Sequence, residues 1–89
     1  MYDISDDEKR SRVAHILKLH GLSRIQRSVF VGIGSHAVAR DIAKAINRLV
    51  NPRTDIVHIV LIQDHEWERR SIIGSEMSSY ESKNAVFIV

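Results

Sequence analysis

The sequence predicts a single α+β domain in which two helices cover one face of an antiparallel sheet. Three observations lead there. At 89 residues the chain has room for one small domain. Two segments repeat apolar residues at helical spacing, and the runs around them either alternate or are continuously β-branched. The balance of 44% hydrophobic to 27% charged residues is that of an ordinary folded domain, which argues against disorder. A domain this small buries only roughly 60% of its unfolded surface, so its stability is expected to be marginal unless it oligomerises.

Residues 1–4 make a short, β-compatible start. Ser5-Asp6-Asp7-Glu8 has the spacing of a capping box, and its acids suit the positive end of a helix dipole, which predicts a helix over 6–20. Val13, Ile16, Leu17 and then Leu19 or His20 form its inward stripe. Gly21 suits the position just past the last turn, where Lys18 and His20 complement the dipole. From Leu22 the period changes: Ile25, Arg27, Val29 and Val31 alternate with Gln26, Ser28 and Phe30, predicting two short strands with a kink or turn between them. Gly32-Ile33-Gly34 breaks the run and Ser35 can cap a second helix. That helix turns Val38, Ile42, Ala45 or Ile46, and Leu49 inward, with Arg40, Lys44, Asn47 and Arg48 outward, and stops at Asn51-Pro52.

Residues 56–62 are apolar except for His58, which predicts a central strand buried on both faces. Residues 64–70 suggest a helical turn around Trp67, and Ile72-Ile73-Gly74 a brief apolar element. Residues 74–84 are polar and expected to be mobile, and 85–89 return to strand character. The order βαββαβ with an extra C-terminal strand is that of a ferredoxin-like sandwich, one domain over residues 1–89. A last strand with an open edge usually pairs with something. Residues from about 75 to 89 are therefore expected to serve as an edge-pairing or dimer-swapping segment.

Cysteine is absent, which removes disulfides, cysteine-based zinc sites and thiol catalysis and fits a cytoplasmic protein. No apolar run approaches the ~20 residues of a membrane helix, and the N-terminus lacks the apolar core of a signal peptide. The net charge of +2 conceals three blocks: −4 over residues 1–8, +9 over 9–53 and −3 over 54–89. Residues 9–27 hold Lys9, Arg10, Arg12, Lys18, Arg24 and Arg27 and no acid. Nine of the 13 basic residues are arginines, the side chain suited to bidentate phosphate contact, so a polyanion is the expected partner. From the residues alone, Asp3 reads either as part of the acidic cap of the first helix or as a metal ligand. Arg10, Arg12, Arg24 and Arg27 read as phosphate contacts or as a solvated face, and Phe30 as a base-stacking ring or as core. Gly32-Ile33-Gly34 lacks the third glycine and the lysine of phosphate loops. Asp64-His65-Glu66 are adjacent and cannot all face one ion, and the histidines are scattered without metal-site spacing.

Tyr2-Asp3-Ile4 followed by Asp6-Asp7, then Arg10-x-Arg12-Val13, then Gly21-Leu22-x-Arg24-Ile25-Gln26-x-Ser28-Val29-Phe30, closely resembles the CRISPR-associated small endonuclease family of the adaptation module. The resemblance is dense over residues 2–32, whereas residues 64–70 match nothing shared by the family. It implies a ferredoxin-like fold and a symmetric homodimer. Asp3 would be the catalytic residue and the ligand of a divalent metal, usually Mg2+, brought together with its copy across the two-fold. It further implies Tyr2, Arg10, Arg12, Arg24 and Phe30 as residues of the substrate site. The implied activity is metal-dependent cleavage of single-stranded RNA or double-stranded DNA in spacer acquisition and antiviral defence, beside the CRISPR integrase. Two alternatives stand next to it: a non-catalytic DNA-binding scaffold bridging integrase subunits, and a small RNA-cleaving toxin. Only Met1 precedes Tyr2, where the family has an apolar run, so either the first strand is a stub or residues precede it.

Overall fold

The computed structural model describes residues 1–75 and the backbone of 86–88. Along the chain lie β1 (Tyr2–Asp3), α1 (Asp7–Leu19), β2 (Ser23–Gln26), β3 (Val29–Ile33), α2 (His36–Asn47), β4 (Ile56–Val57), β5 (Val60–Ile62), α3 (Asp64–Glu68) and β6 (Val86–Ile88). The first six elements keep the ferredoxin-like βαββαβ order, and the fold is α+β as expected. Among the described residues no helix is long and apolar enough to cross a membrane.

Asp6, one residue later than expected, opens α1: its backbone is extended and its carboxylate accepts the Lys9 N–H at 2.9 Å. Ser5 is engaged elsewhere, its N–H and hydroxyl both donating to Asp55 Oδ1 at 3.1 and 3.0 Å. Val13, Ala14 and Leu17 form the buried stripe, whereas Leu19 is 70% exposed and His20 is exposed too. Gly21 ends the helix at φ 85°, a left-handed conformation in which Leu22 N–H reaches Leu17 O and Gly21 N–H reaches Lys18 O. The expected kink is a two-residue turn at Arg27-Ser28, with a register shift between Arg24 and Gln26 in the β2–β3 pairing.

In one sheet β1 pairs antiparallel with β4, and in the other the order is β2-β3-β6-β5. Tyr2 N–H donates to Ser28 O at 3.2 Å and ties the small sheet to the start of β3. The main core, with α1 and α2 on it, contains Tyr2, Ile4, Val13, Leu17, Leu22, Phe30, Ile42 and Ile46. A second cluster joins Ile25, Val31 and Trp67, so α3 is held by its tryptophan.

Residues 56–62 do not form one central strand. After β4, Met1 N donates to His58 O and His58 N–H to Met1 O, which finishes the ladder with β1. The chain then moves to the other sheet, where β5 pairs with β6. Each piece is half-covered, with Ile56 53% and Val60 41% exposed. Ile72 and Ile73 form no regular element and lie exposed. At the C-terminus β6 lies between β3 and β5 of its own chain, with Ile88 opposite Val31 and Val60. Most of the stretch expected to be mobile, and the rest of the expected pairing segment, lies outside the described residues.

Asp55 fastens the α2–β4 loop to the approach of α1, accepting the Asn51 N–H at 2.8 Å as well as both Ser5 donors. The Asn51 amide first, then the Ser5 amide, hold its carboxyl down from 3.8 to about 2. Because the folded pKa lies below the unfolded one, the stabilisation is complete above pH about 4 and is lost as pH falls towards 2. Urea titrations across that window should show a falling midpoint in the wild type and a shallower fall in Asp55→Asn. Gly32 gives a second test: a Cβ there would sit 2.8 Å from Cγ of buried Leu22. Gly32→Ala should lower unfolding free energy by about 1–3 kcal/mol in the same assay.

Candidate functional site

The site begins with the pleat of β1. Successive side chains of a strand point to opposite faces, so burying Tyr2 and Ile4 in the helix-covered core turns Asp3 outward. Asp3 sits opposite Ile56 of β4 and is exposed. Its neighbours in the acidic block all have partners. Asp6 caps α1, Asp7 pairs with Arg10, and Glu8 Oε1 accepts from Arg12 at 2.9 Å. The Asp3 carboxylate makes no hydrogen bond or ion pair among the described residues. The helix-cap role therefore belongs to Asp6, and Asp3 is left available to an external ligand.

On the other side of β1 is a polar cleft of about 480 Å³, lined by Tyr2, Asp7, Arg10, Ser11, Arg24, Arg27 and Ser28. It brings together three of the five residues expected to hold substrate. Arg24 reaches it from β2, its guanidinium 4.9 Å from the centroid of the Phe30 ring, a cation–π distance. Tyr2 stacks on the same ring at 6.4 Å, and its hydroxyl donates to Arg27 O at 3.4 Å. Arg10 is partly committed to its own chain: Nη1 donates to Ile4 O at 2.8 Å, and the guanidinium pairs with Asp7.

Phe30 and Arg12 fall outside this arrangement. Phe30 is fully buried, so it supports Tyr2 and Arg24 from beneath and has no face free to stack on a base. Arg12 borders a separate cleft of about 400 Å³ with His15, Ile16 and Leu49. Asp7, Ser11 and Ser28 line the cleft without being read as site residues from the sequence, and Arg27, read there as a phosphate contact or a solvated face, lines it too. The signal for Arg27 was its membership in the acid-free stretch 9–27. Arg27 is exposed, and its side chain makes no hydrogen bond or ion pair among the described residues.

Three arginines converging on a polar cleft suit the phosphate of a ligand, contacts that position without reading sequence. Among the described residues no three metal-ligating side chains gather. Beside β1 the one unengaged carboxylate is that of Asp3, and a magnesium ion, which keeps several waters and takes one or two carboxylates, would be the metal such a sparse donor set suits. The weaker motifs are structural. Gly32 lies within β3, Glu66 completes a capping box with Gln63, and Asp64 accepts the His65 N–H.

A family model described as "CRISPR associated protein Cas2" matches residues 1–70. The match extends through α3, so the Trp67 segment lies within the family pattern, contrary to expectation. A "CRISPR-associated endoribonuclease Cas2 2" from Pyrobaculum aerophilum is 50% identical over 48 residues, 54% of this chain and 53% of that protein. The chain thus spans about half the length of that relative. A "CRISPR-associated endoribonuclease Cas2" from Thermofilum pendens is 32% identical over 71 residues, 80% of this chain and 75% of that protein. A "CRISPR-associated endonuclease Cas1/endonuclease Cas2 fusion" from Thermoproteus tenax is 42% identical over 50 residues, 56% of this chain and 19% of the fusion.

Two of the three cleft arginines, Arg10 and Arg27, should separate in a thermal melt. Arg10→Gln removes the donor to Ile4 O and the pair with Asp7, a half-exposed arrangement worth roughly 1 kcal/mol after solvent screening. Arg27→Gln should leave stability within about 0.5 kcal/mol of wild type.

Proposed function

Because the chain belongs to the CRISPR-associated Cas2 family, we propose that it is a metal-dependent endonuclease acting in spacer acquisition and antiviral defence. It hydrolyses phosphodiester bonds of single-stranded RNA or double-stranded DNA. The observation that carries the reading is the Asp3 carboxylate, turned outward and unengaged while every other acid of the N-terminal block has a partner. The relatives named endoribonucleases support an RNA substrate.

Asp3 is the protein's ligand to the metal. In a symmetric homodimer the same patch would be repeated, so the partner's copy of this carboxylate could join Asp3 in holding the metal. Bound there, Mg2+ would lower the pKa of a water and offset charge developing on the phosphate. The chain's own work is positioning. Arg24, its guanidinium 4.9 Å from the centroid of the Phe30 ring, and Arg27 on the adjoining turn take the phosphate backbone, and Arg10 adds charge while fixing the β1–α1 junction. Tyr2 holds the Arg27 turn in register through its hydroxyl, and Arg12 extends the basic surface along α1. The Thermoproteus fusion supports a partnership with the CRISPR integrase, and the cytoplasm is where we place that complex.

Wild type and Asp3→Asn, both shown dimeric by light scattering, should be incubated with single-stranded RNA and with duplex DNA, in magnesium and in EDTA. Wild type should cut in magnesium alone. Removing a ligand worth several kcal/mol to the transition state should slow the variant by at least about 100-fold. Equal cleavage by the two proteins would remove Asp3 from the chemistry.

A further inference from the structure

We propose that His58 is the proton donor to the leaving oxygen at the site built on Asp3. The inference deepens the endonuclease reading above and rests on it. Its ground is the register of the β1–β4 ladder. Tyr2 stands opposite Val57, and Asp3 opposite Ile56. One step further back, Met1 N donates to His58 O at 3.1 Å and His58 N–H to Met1 O at 2.8 Å, so these two residues face each other as a hydrogen-bonded pair. Side chains alternate along both strands, which places Met1 and Asp3 on one face with Ile56 and His58. Burial agrees: Tyr2, Val57 and Ile59 pack into the main core, whereas Asp3, Ile56 and His58 are exposed. Asp3 and His58 are thus diagonal neighbours across the ladder, their Cα atoms about 7–8 Å apart. At that spacing one phosphodiester can meet both side chains.

The fold makes no use of this imidazole. Among the described residues it forms no hydrogen bond or ion pair, whereas the His20 ring is held against Ile16 O at 2.8 Å. The simpler explanation is a polar residue that keeps an edge strand from pairing with another chain. That role suits a long charged side chain, and it does not explain why the exposed positions on either side, Ile56 and Val60, stay apolar. The other residues of the ladder face, Met1 and Ile56, are apolar and 46% and 53% exposed. A carboxylate and an imidazole side by side on such a patch divide the work. The carboxylate suits an ion, and the imidazole suits a proton that must be handed over in neutral water.

In the hydrolysis a water oxygen bonds to phosphorus, and the bond from phosphorus to one ester oxygen breaks with its electron pair left on that oxygen. His58, as imidazolium, gives this oxygen its proton, and the product departs as an alcohol. The attacking water's spare proton goes to solvent, from which the neutral imidazole is recharged. One water is consumed per diester, and no other reactant is needed. The cleft arginines cannot take this part, because a guanidinium keeps its protons.

The test compares wild type, His58→Gln, Asp3→Asn and, as a matched control, His36→Gln, an exposed histidine at the start of α2. Each receives single-stranded RNA and duplex DNA oligonucleotides in magnesium, either unmodified or with sulfur in place of the 5′- or the 3′-bridging oxygen of one linkage. A thiolate is a much weaker base than an alkoxide and departs without a proton. Loss of the donor should slow His58→Gln about 100-fold on unmodified strands. The ratio of wild type to His58→Gln should collapse towards unity on one of the sulfur strands, which shows that the variant is folded and names the leaving oxygen. Asp3→Asn should be slow on every strand, and His36→Gln should match wild type. A readout independent of cleavage is Mn2+ binding followed by electron paramagnetic resonance, where His58→Gln should equal wild type. Weakened Mn2+ binding would make His58 a metal ligand and overturn the proposal. Cleavage of unmodified strands by His58→Gln at the wild-type rate, or an equal defect on oxygen and sulfur, would overturn it too, with the endonuclease reading left standing. Failure of wild type to cut would overturn both together.

Discussion

The rest of the molecule depends on a strand two residues long whose flanks must be buried. Tyr2 and Ile4 are both in the main core, so the residue between them has one direction left. The same insertion organises the cleft on the other side. Tyr2 carries its ring onto Phe30, Phe30 supports the guanidinium of Arg24, and the Tyr2 hydroxyl reaches the turn that bears Arg27. One short element thus sets an outward carboxylate and a cationic cleft at the same time. It is held by β4 along one side and by a bond to Ser28 O on the other.

Charge is arranged with equal economy. The acids at the start of α1 cap the helix and hold its first arginines in defined positions, which orders them and lowers the local field. Along α2 the opposite holds: cations stand on a regular repeat with no acid against them, and the field they project reaches into solvent. The two helices lie side by side on the core, yet present different electrostatic surfaces, one of fixed ion pairs and one of open positive charge.

The sequence was most legible where a period persisted. The stripes of α1 and α2 and the glycine after α1 could be read directly, because burial on a helix repeats over several turns. Residues 56–62 misled because a continuously apolar run carries no period, and its division at His58 is set by pairing with Met1, 57 residues away in the chain. The Ser5 cap failed for a similar reason: Asp55, remote in sequence, took both of its donors. Within the site, Tyr2-Asp3-Ile4 announced its alternation and the basic stretch announced the cleft. The pairing of Arg10 and Arg12 with neighbouring acids was not legible, since i+3 and i+4 spacings permit such pairs without requiring them. Phe30 illustrates the limit most clearly, because an aromatic in an alternating strand faces core or ligand according to which side the helices cover.

The position of β6 gives the fold a history as well as a shape. The strand inserts between β3 and β5, so Val31 meets a partner 57 residues further along the chain. Contacts this distant in sequence close late, after the loop entropy between them has been overcome. Until then β3 has a partner on one side only and β5 has none, and both present open hydrogen-bonding edges in a chain already largely collapsed. A nascent or briefly opened molecule is therefore most exposed to pairing with the wrong chain at one slot, the gap between β3 and β5. The rate at which residues 86–88 fill it sets how long that window lasts.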